Sequence, residues 1–298
     1  MTFKQRLAQA ATMVEERLAA FLDAAATGGA PARLVEAMRH ATLGGGKRFR
    51  PFLVVECAGL FGVPPRAALQ TAAALECVHC YSLVHDDLPA MDGDDWRRGK
   101  PTVHKAYDEW TAILAGDALL TIAFAQLAGP ETHPDAAVRT ELISRLAEAA
   151  GAGGMAGGQC LDLEFDKLGL PATLSPPHVE RLQAMKTGAL IRFACEAGAI
   201  LGRAGAEQRR ALASYGECLG LAFQIADDLL DIEGEPAAMG KAARKDVRKA
   251  TLVAVLGAQA AKQRLAALEA DAIAALATFG AEADRLREAA AFVVRRQS

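Results

Sequence analysis

Asp86 and Asp87 stand side by side, Asp92 follows them closely, and the same stretch runs on through Asp94 and Asp95 to Arg97 and Arg98. An apolar run of helical period, Thr71 to Val84, leads into the pair, and Pro89 disfavours helix at Leu88. The acids are therefore expected at a helix C-terminus, where the helix dipole is already negative. Carboxylates placed there repel the dipole and one another unless a cation binds. Taken alone, the cluster has a second account, a solvated acidic loop after a core helix. A further cluster argues for the cation. Asp227 and Asp231 lie at i, i+4, Asp228 flanks them, and Gln224 comes a turn earlier, all within a run of Leu, Ala, Phe and Ile. Acids beside an apolar helix are costly unless neutralised. Carboxylates without Cys or His partners suit magnesium better than zinc. Mg²⁺ held by few carboxylates shares its other positions with water and phosphate oxygens. The candidate ligands are Asp86, Asp87, Asp92, Asp227, Asp228 and Asp231.

Basic residues supply the other half of a phosphate site. Gly46-Lys47-Arg48-Phe49-Arg50-Pro51 lies at a loop-to-helix transition, where Pro51 suits the first helical turn. A helix N-terminus carrying Lys47 and Arg50 is a candidate phosphate cradle; a solvated basic turn is the plainer reading. Arg97 and Arg98 point in different directions, so each can hold a different anion. Lys186-Thr187-Gly188 lies in a later helix, and Lys241, Asp246 and Lys249 lie in the loop after the second acidic cluster. His79 shares a helix face with Asp86, about 10 Å away. It is either a satisfied core histidine or a ligand.

The elements that must position these groups are helical. The chain has 298 residues, with 52% hydrophobic but only 5% aromatic, which favours packed helices over a sandwich of strands. The helical segments are Lys4–Ala26, Ala32–Thr42, Pro51–Phe61, Arg66–Asp87, Thr111–Leu127, Pro134–Ala150, Cys160–Asp166, His178–Leu201, Glu207–Ile232 and Thr251 to the end. Glycine-rich Gly151 to Gly158 marks a flexible lid or, preferably, a close helix crossing. Glu233 to Lys249 is a polar loop. No long strand alternation and no clear repeat appears, so the expectation is one all-α domain over residues 1–298. A net charge of −3 gives no reason to expect nucleic acid. Six scattered cysteines, including Cys77-x-x-Cys80 without a βαβ context, are expected as reduced core thiols in a cytoplasmic protein. The first residues read as an amphipathic helix rather than a signal peptide. The best apolar stretch, Trp110 to Gly129, contains Asp117, so no membrane span is expected.

At these residues the sequence resembles the trans-prenyltransferases, the isoprenyl diphosphate synthases or polyprenyl synthetases. Asp86-Asp87-Leu88-Pro89-Ala90-Met91-Asp92 matches the first aspartate-rich motif with the longer spacer of the bacterial short-chain enzymes, and Asp227-Asp228-x-x-Asp231 matches the second. Gly46-Lys47-Arg48-x-Arg50-Pro51, Gly154-Met155-Ala156-Gly157-Gly158-Gln159-x-x-Asp162-Leu163, Lys186-Thr187-Gly188 and Gln224 fall in the family order. The resemblance runs from residue 36 to residue 256. It implies the isoprenoid synthase fold, an antiparallel helical bundle around a deep cavity, in a homodimer.

The resemblance also implies roles. An allylic diphosphate is held through about three Mg²⁺ ions, with Mn²⁺ able to substitute, between the two carboxylate clusters. Arg97, Lys186 and Lys241 take its oxygens. Isopentenyl diphosphate takes Lys47, Arg50, His79 and Arg98. Thr187 and Gln224 stabilise the allylic cation, and the released diphosphate removes the final proton. Tyr81 and Ser82, a turn or so before Asp86, are expected to set product length. In similar bacterial enzymes an aromatic at the Tyr81 place goes with farnesyl diphosphate. Geranyl and geranylgeranyl synthases share the chemistry with another cavity depth. A terpene cyclase or a non-catalytic subunit is the alternative of a different class, and the two intact acidic clusters argue against both. Gly93 stands where an acid is common in the family, Trp96 where Leu or Tyr is usual, and Arg244 where Gly is common. The loop from Gly240 to Thr251 is also about two residues short, which bears on closure over the substrate.

Overall fold

The computed structural model describes residues 2–233 and 250–295. The elements in order are α1 (Phe3–Thr27), α2 (Ala32–Thr42), α3 (Phe49–Gly59), α4 (Pro65–Asp86), β1 (Trp96–Arg97), β2 (Lys100–Pro101), α5 (Val103–Ala106), α6 (Glu109–Ala128), α7 (Ala136–Ala150) and α8 (Met155–Leu168). They continue with α9 (Pro176–Gln183), a π-helical turn (Ala184–Gly188), α10 (Ala189–Leu201), α11 (Ala206–Glu233), α12 (Leu252–Leu256), α13 (Ala258–Ala275), a 3₁₀ turn (Ala281–Ala283) and α14 (Asp284–Arg295). The protein is all-α, as its composition implies. Among the described residues the strands amount to one antiparallel pair, with Trp96 opposite Pro101 and Arg97 opposite Lys100. Arg98 and Gly99 link it with φ of 52° and 75°, the two positive values that a type I′ turn requires.

The chain divides into two compact units, Met1–Ser144 with Ile200–Arg203, and Arg145–Ala199 with Ala204–Ser298. In the first, α4 is the axis. Leu75 and Val78 are fully buried, and Ala72, Ala73 and Ala74 are small enough for α3 and α6 to pack closely on it. A helix buried on nearly all sides must satisfy any polar group it carries. Glu76 does so through Arg48, whose Nη1 donates to Glu76 Oε1 at 2.7 Å while Nη2 donates to Glu15 at 2.9 Å. Gln70 accepts from Arg17 at 2.6 Å. Cys77 and Cys80 are also buried there, and burial pushes the Cys80 thiol up to about 12, so the pair is core packing rather than a reactive dithiol.

In the second unit α11 is the spine. Leu219, Ala222 and Ile225 are buried, and α13 and α14 pack on this helix. Tyr215 is fully buried and donates to the Leu286 carbonyl at 2.7 Å, which satisfies its hydroxyl.

Three expectations need correction. The third helix begins at Phe49, before Pro51, because Arg48 turns inward in a left-handed conformation (φ 48°) and caps it. The segment His178–Leu201 is interrupted by the π-helical turn. The C-terminal segment is three helices, broken at Gly257 and again at residues 276–283; its continuous Ala/Leu periodicity hid the breaks.

Candidate active site

In the first unit α4 delivers both the acids and the residues below them. The helix ends at Asp86, and the chain folds back so that the Asp92 N–H donates to the Asp86 carbonyl at 2.9 Å. The adjacent acids part company. Asp86 and Asp92 are half-buried, whereas Asp87 is 3% exposed. Asp87 is gripped by Arg97, whose Nε and Nη2 donate to Oδ1 at 2.8 and 2.6 Å. Burial raises the Asp87 carboxyl above its ordinary value, against the pull of Arg97. The type I′ turn sends the neighbouring arginine elsewhere: Arg98 donates to the Gly45 carbonyl at 2.9 Å.

His79 lies on α4, and Arg50 Nη1 approaches its Nε2 to 3.5 Å. Burial, then Arg50, Arg98, Arg97 and Arg48, hold the imidazole well below its ordinary value. His79 is therefore neutral, and the cations around it make a natural seat for an anion. Lys47 is exposed in the loop that leads into α3. Arg48, although part of the basic stretch, belongs to the core. Tyr81 is half-buried, with its pKa raised by burial, and stands edge-on to His85 at 5.7 Å between ring centroids. Ser82 donates to the His79 carbonyl at 2.8 Å.

In the second unit a close crossing sets the geometry. A Cβ on Gly158 would meet the Lys186 backbone nitrogen at 2.2 Å, so only glycine lets α8 lie so near the π-helical turn. One turn further along α8, Asp162 accepts from Lys186 Nζ at 2.6 Å. The Thr187 hydroxyl donates to Gln224 Oε1 at 2.8 Å. The second cluster repeats the division seen in the first. Asp227 is half-buried and Asp231 exposed, while Asp228 is 6% exposed. Asp228 accepts from Gln224 at 2.9 Å and from Gln183 at 2.8 Å. Burial raises its carboxyl to about 6 despite both amide bonds, and Asp227 and Asp231 add to the rise. No group of three or more His, Cys, Asp or Glu is arranged to hold a metal among the described residues. The presented carboxylates nevertheless fit Mg²⁺, which needs only one or two of them beside substrate oxygens.

The polyprenyl synthetase family model matches residues 31–284. The chain belongs to the polyprenyl synthetase family. Polyprenyl synthetases with curated functions include the farnesyl diphosphate synthase of Geobacillus stearothermophilus, 46% identical over 240 residues and 79% of each chain. That of Escherichia coli K12 is 43% identical, over 91% of this chain and 90% of its own. A solved apo structure of an FPP/GFPP synthase from Zymomonas mobilis is 46% identical, covers 98% of both chains and superposes with a TM-score of 0.87. As a polyprenyl synthetase the chain is a prenyltransferase with the isoprenoid synthase fold.

Of the residues singled out from the sequence, Lys241 lies outside the described residues, as does the loop with Asp246 and Lys249. The first unit gathers Asp86, Asp87, Asp92, Arg97, Arg98, Lys47, Arg50, His79, Tyr81 and Ser82; the second gathers Lys186, Thr187, Gln224, Asp227, Asp228 and Asp231. The sequence alone assigns no role to Gln183 or to Asp162, the partner of Lys186. A lone amide one turn before Lys186, on a helix whose neighbours Val179 and Leu182 are buried, is the signal that points to Gln183.

Proposed function

We propose that the chain condenses isopentenyl diphosphate with dimethylallyl and then geranyl diphosphate to give (2E,6E)-farnesyl diphosphate. What carries this reading is the matched division of labour in the two acidic clusters. Each has one buried aspartate locked by protein donors, Asp87 by Arg97 and Asp228 by Gln183 and Gln224, beside carboxylates that stay presented. The identity of 43–46% to farnesyl diphosphate synthases supports the product.

Asp86, Asp92, Asp227 and Asp231 would hold magnesium for the allylic diphosphate; Asp87 and Asp228, candidate ligands from the sequence, are read instead as anchors because Arg97, Gln183 and Gln224 already occupy their oxygens. Bound Mg²⁺ supplies neutralisation of the charge that grows on the leaving diphosphate. Lys186, with Arg97 and Lys241, adds cationic contacts to the same oxygens. The C1–O bond breaks with its electron pair leaving on diphosphate. The Gln224 carbonyl and Thr187 hydroxyl oxygens face the resulting allylic cation. Lys47, Arg50, His79 and Arg98 hold isopentenyl diphosphate so that its double bond attacks C1. The diphosphate just released takes the proton, so no protein base is assigned.

The chain acts as one catalytic domain, in a cytoplasmic homodimer. Six free cysteines, four of them buried, suit a reducing compartment. The exposed row Trp110, Ile113 and Leu114 on α6 suits a second copy. Tyr81 floors the product cavity and Ser82 leaves it width, so Tyr81→Ala lengthens the product and Ser82→Phe shortens it to geranyl. Chromatography of products from the purified chain with Mg²⁺, isopentenyl and dimethylallyl diphosphates tests the whole reading. Farnesyl diphosphate is expected; a cyclic terpene or no condensation overturns it. Unchanged product length in both variants removes the floor argument.

A further inference from the structure

Gln183 ends α9 at 2% exposure. Its Nε2 donates to Asp228 Oδ2 at 2.8 Å, while its Oε1 is buried without a hydrogen-bond partner among the described residues. The other Asp228 oxygen, Oδ1, accepts from Gln224 Nε2 at 2.9 Å, and Gln224 Oε1 accepts the Thr187 hydroxyl at 2.8 Å. The line Gln183, Asp228, Gln224, Thr187 thus runs through α9, α11 and the π-helical turn within one unit.

The two ends of a glutamine amide have nearly the same shape, and only bonding tells them apart. An ionised carboxylate accepts and cannot donate. Asp228 therefore dictates which end of Gln224 is the NH₂ group and turns the oxygen toward Thr187. Asp228 can do this only if it is itself held. An amide oxygen buried without a partner costs stability, and a leucine of similar volume would avoid that cost. A glutamine at position 183 makes sense for its N–H.

We propose that Gln183 is a positioning residue for prenyl transfer: by engaging the second oxygen of Asp228 it fixes that carboxylate, and through it the direction of the Gln224 carbonyl and Thr187 hydroxyl. The inference rests on the prenyltransferase reading, in which those two oxygens face the allylic cation.

The test is a double-mutant cycle of Gln183→Leu with Gln224→Ala, read by kcat, by KM for each substrate and by thermal unfolding. Gln183→Leu is expected to fold normally. It should lower kcat about 10- to 100-fold, the range seen when a buried orienting partner is lost. KM for isopentenyl diphosphate should not move, because its proposed ligands Lys47, Arg50, His79 and Arg98 belong to the other unit. In the Gln224→Ala background the same change should cost no more than about twofold, since the orientation is already lost. Gln183→His, which keeps an N–H donor, should recover most of the rate. Gln183→Met, of equal length without a donor, serves if leucine does not fold. Losses that multiply in the double mutant, a kcat within about twofold of wild type in Gln183→Leu, or failure of both donor-free variants to fold would each overturn the proposal. Wild-type condensation in the same assay separates the two claims. Its absence removes the prenyltransferase reading, and its presence with multiplying losses removes only the role of Gln183.

Discussion

Arg97 contacts Asp87 through Nε and Nη2 together, a fork that a lysine cannot reproduce. Removing it with Arg97→Ala leaves a carboxylate at 4% side-chain exposure without its cation. Breaking a buried pair costs about 3–5 kcal/mol; Arg97 is itself only partly buried, so about 2–3 kcal/mol is expected here. Urea unfolding would show it, with Arg97→Lys restoring less than half of the loss. The neighbouring imidazole makes a pH prediction. His79 stays neutral in the folded protein, held well below its ordinary 6.5 by burial and by Arg50, Arg98, Arg97 and Arg48. Below pH 6.5 the unfolded chain binds a proton there that the folded chain refuses, so stability falls as the pH drops. His79→Gln should flatten that acid limb below pH 6.5, measured by urea midpoints at several pH values. An unchanged slope would mean that His79 titrates normally. This scale was the least legible in the sequence. Adjacency in Asp86-Asp87 and in Asp227-Asp228 does not say which carboxylate turns inward, because that depends on donors from elsewhere in the fold, Arg97 and Gln183. For the same reason Arg48 looks like its phosphate-seeking neighbours Lys47 and Arg50. Only Glu76, an acid inside the otherwise apolar run before Asp86, hints that a buried cation must come to meet it.

Elements were easier to read. The period of Ala32–Thr42 and the Pro89 stop after α4 placed both helices with little error, since hydrophobic spacing and proline act locally. The crossing at Gly158 could be anticipated from its glycine-rich surroundings. What it positions could not, because nothing in Lys186-Thr187-Gly188 says that this stretch forms a π-helical turn or that α8 crosses it. The crossing can be tested. Gly158→Ala places a methyl carbon against backbone rather than a yielding side chain, so α8 or the turn must move. Overpacking of this kind costs about 1–3 kcal/mol. The Asp162–Lys186 bond of 2.6 Å should suffer with it, so kcat should fall more steeply than thermal stability alone would predict. Gly153→Ala, where no atom lies within 4 Å of the added carbon, is the matched control and should leave both unchanged.

At the scale of the whole molecule, α6 keeps a row of apolar side chains outside the core. Trp110, Ile113 and Leu114 are 57%, 44% and 47% exposed, and the i, i+3, i+4 spacing sets them in one row. The helix is long and apolar enough to cross a membrane by length and composition, with 20 residues, a mean hydropathy of 1.6 and 39% of that window buried. Its own sequence argues for protein over lipid. Asp117 continues the same row with its side chain 60% exposed, and a carboxylate in hydrocarbon is expensive. At the edge of a protein interface the same acid remains hydrated and costs little. Large apolar side chains in a row on a helix are also the groups that anchor stable interfaces, where truncating an aromatic at the centre costs about 2 kcal/mol or more. Sedimentation equilibrium of the wild-type chain should therefore give twice the chain mass. Ile113→Asp combined with Leu114→Lys should give a single chain that retains its helical circular dichroism, because neither residue contributes to the buried core. Flotation with neutral lipid vesicles should leave the wild type in the aqueous fraction. A monomeric wild type, or one that floats, would assign this face to another role and remove the homodimer from the proposed function.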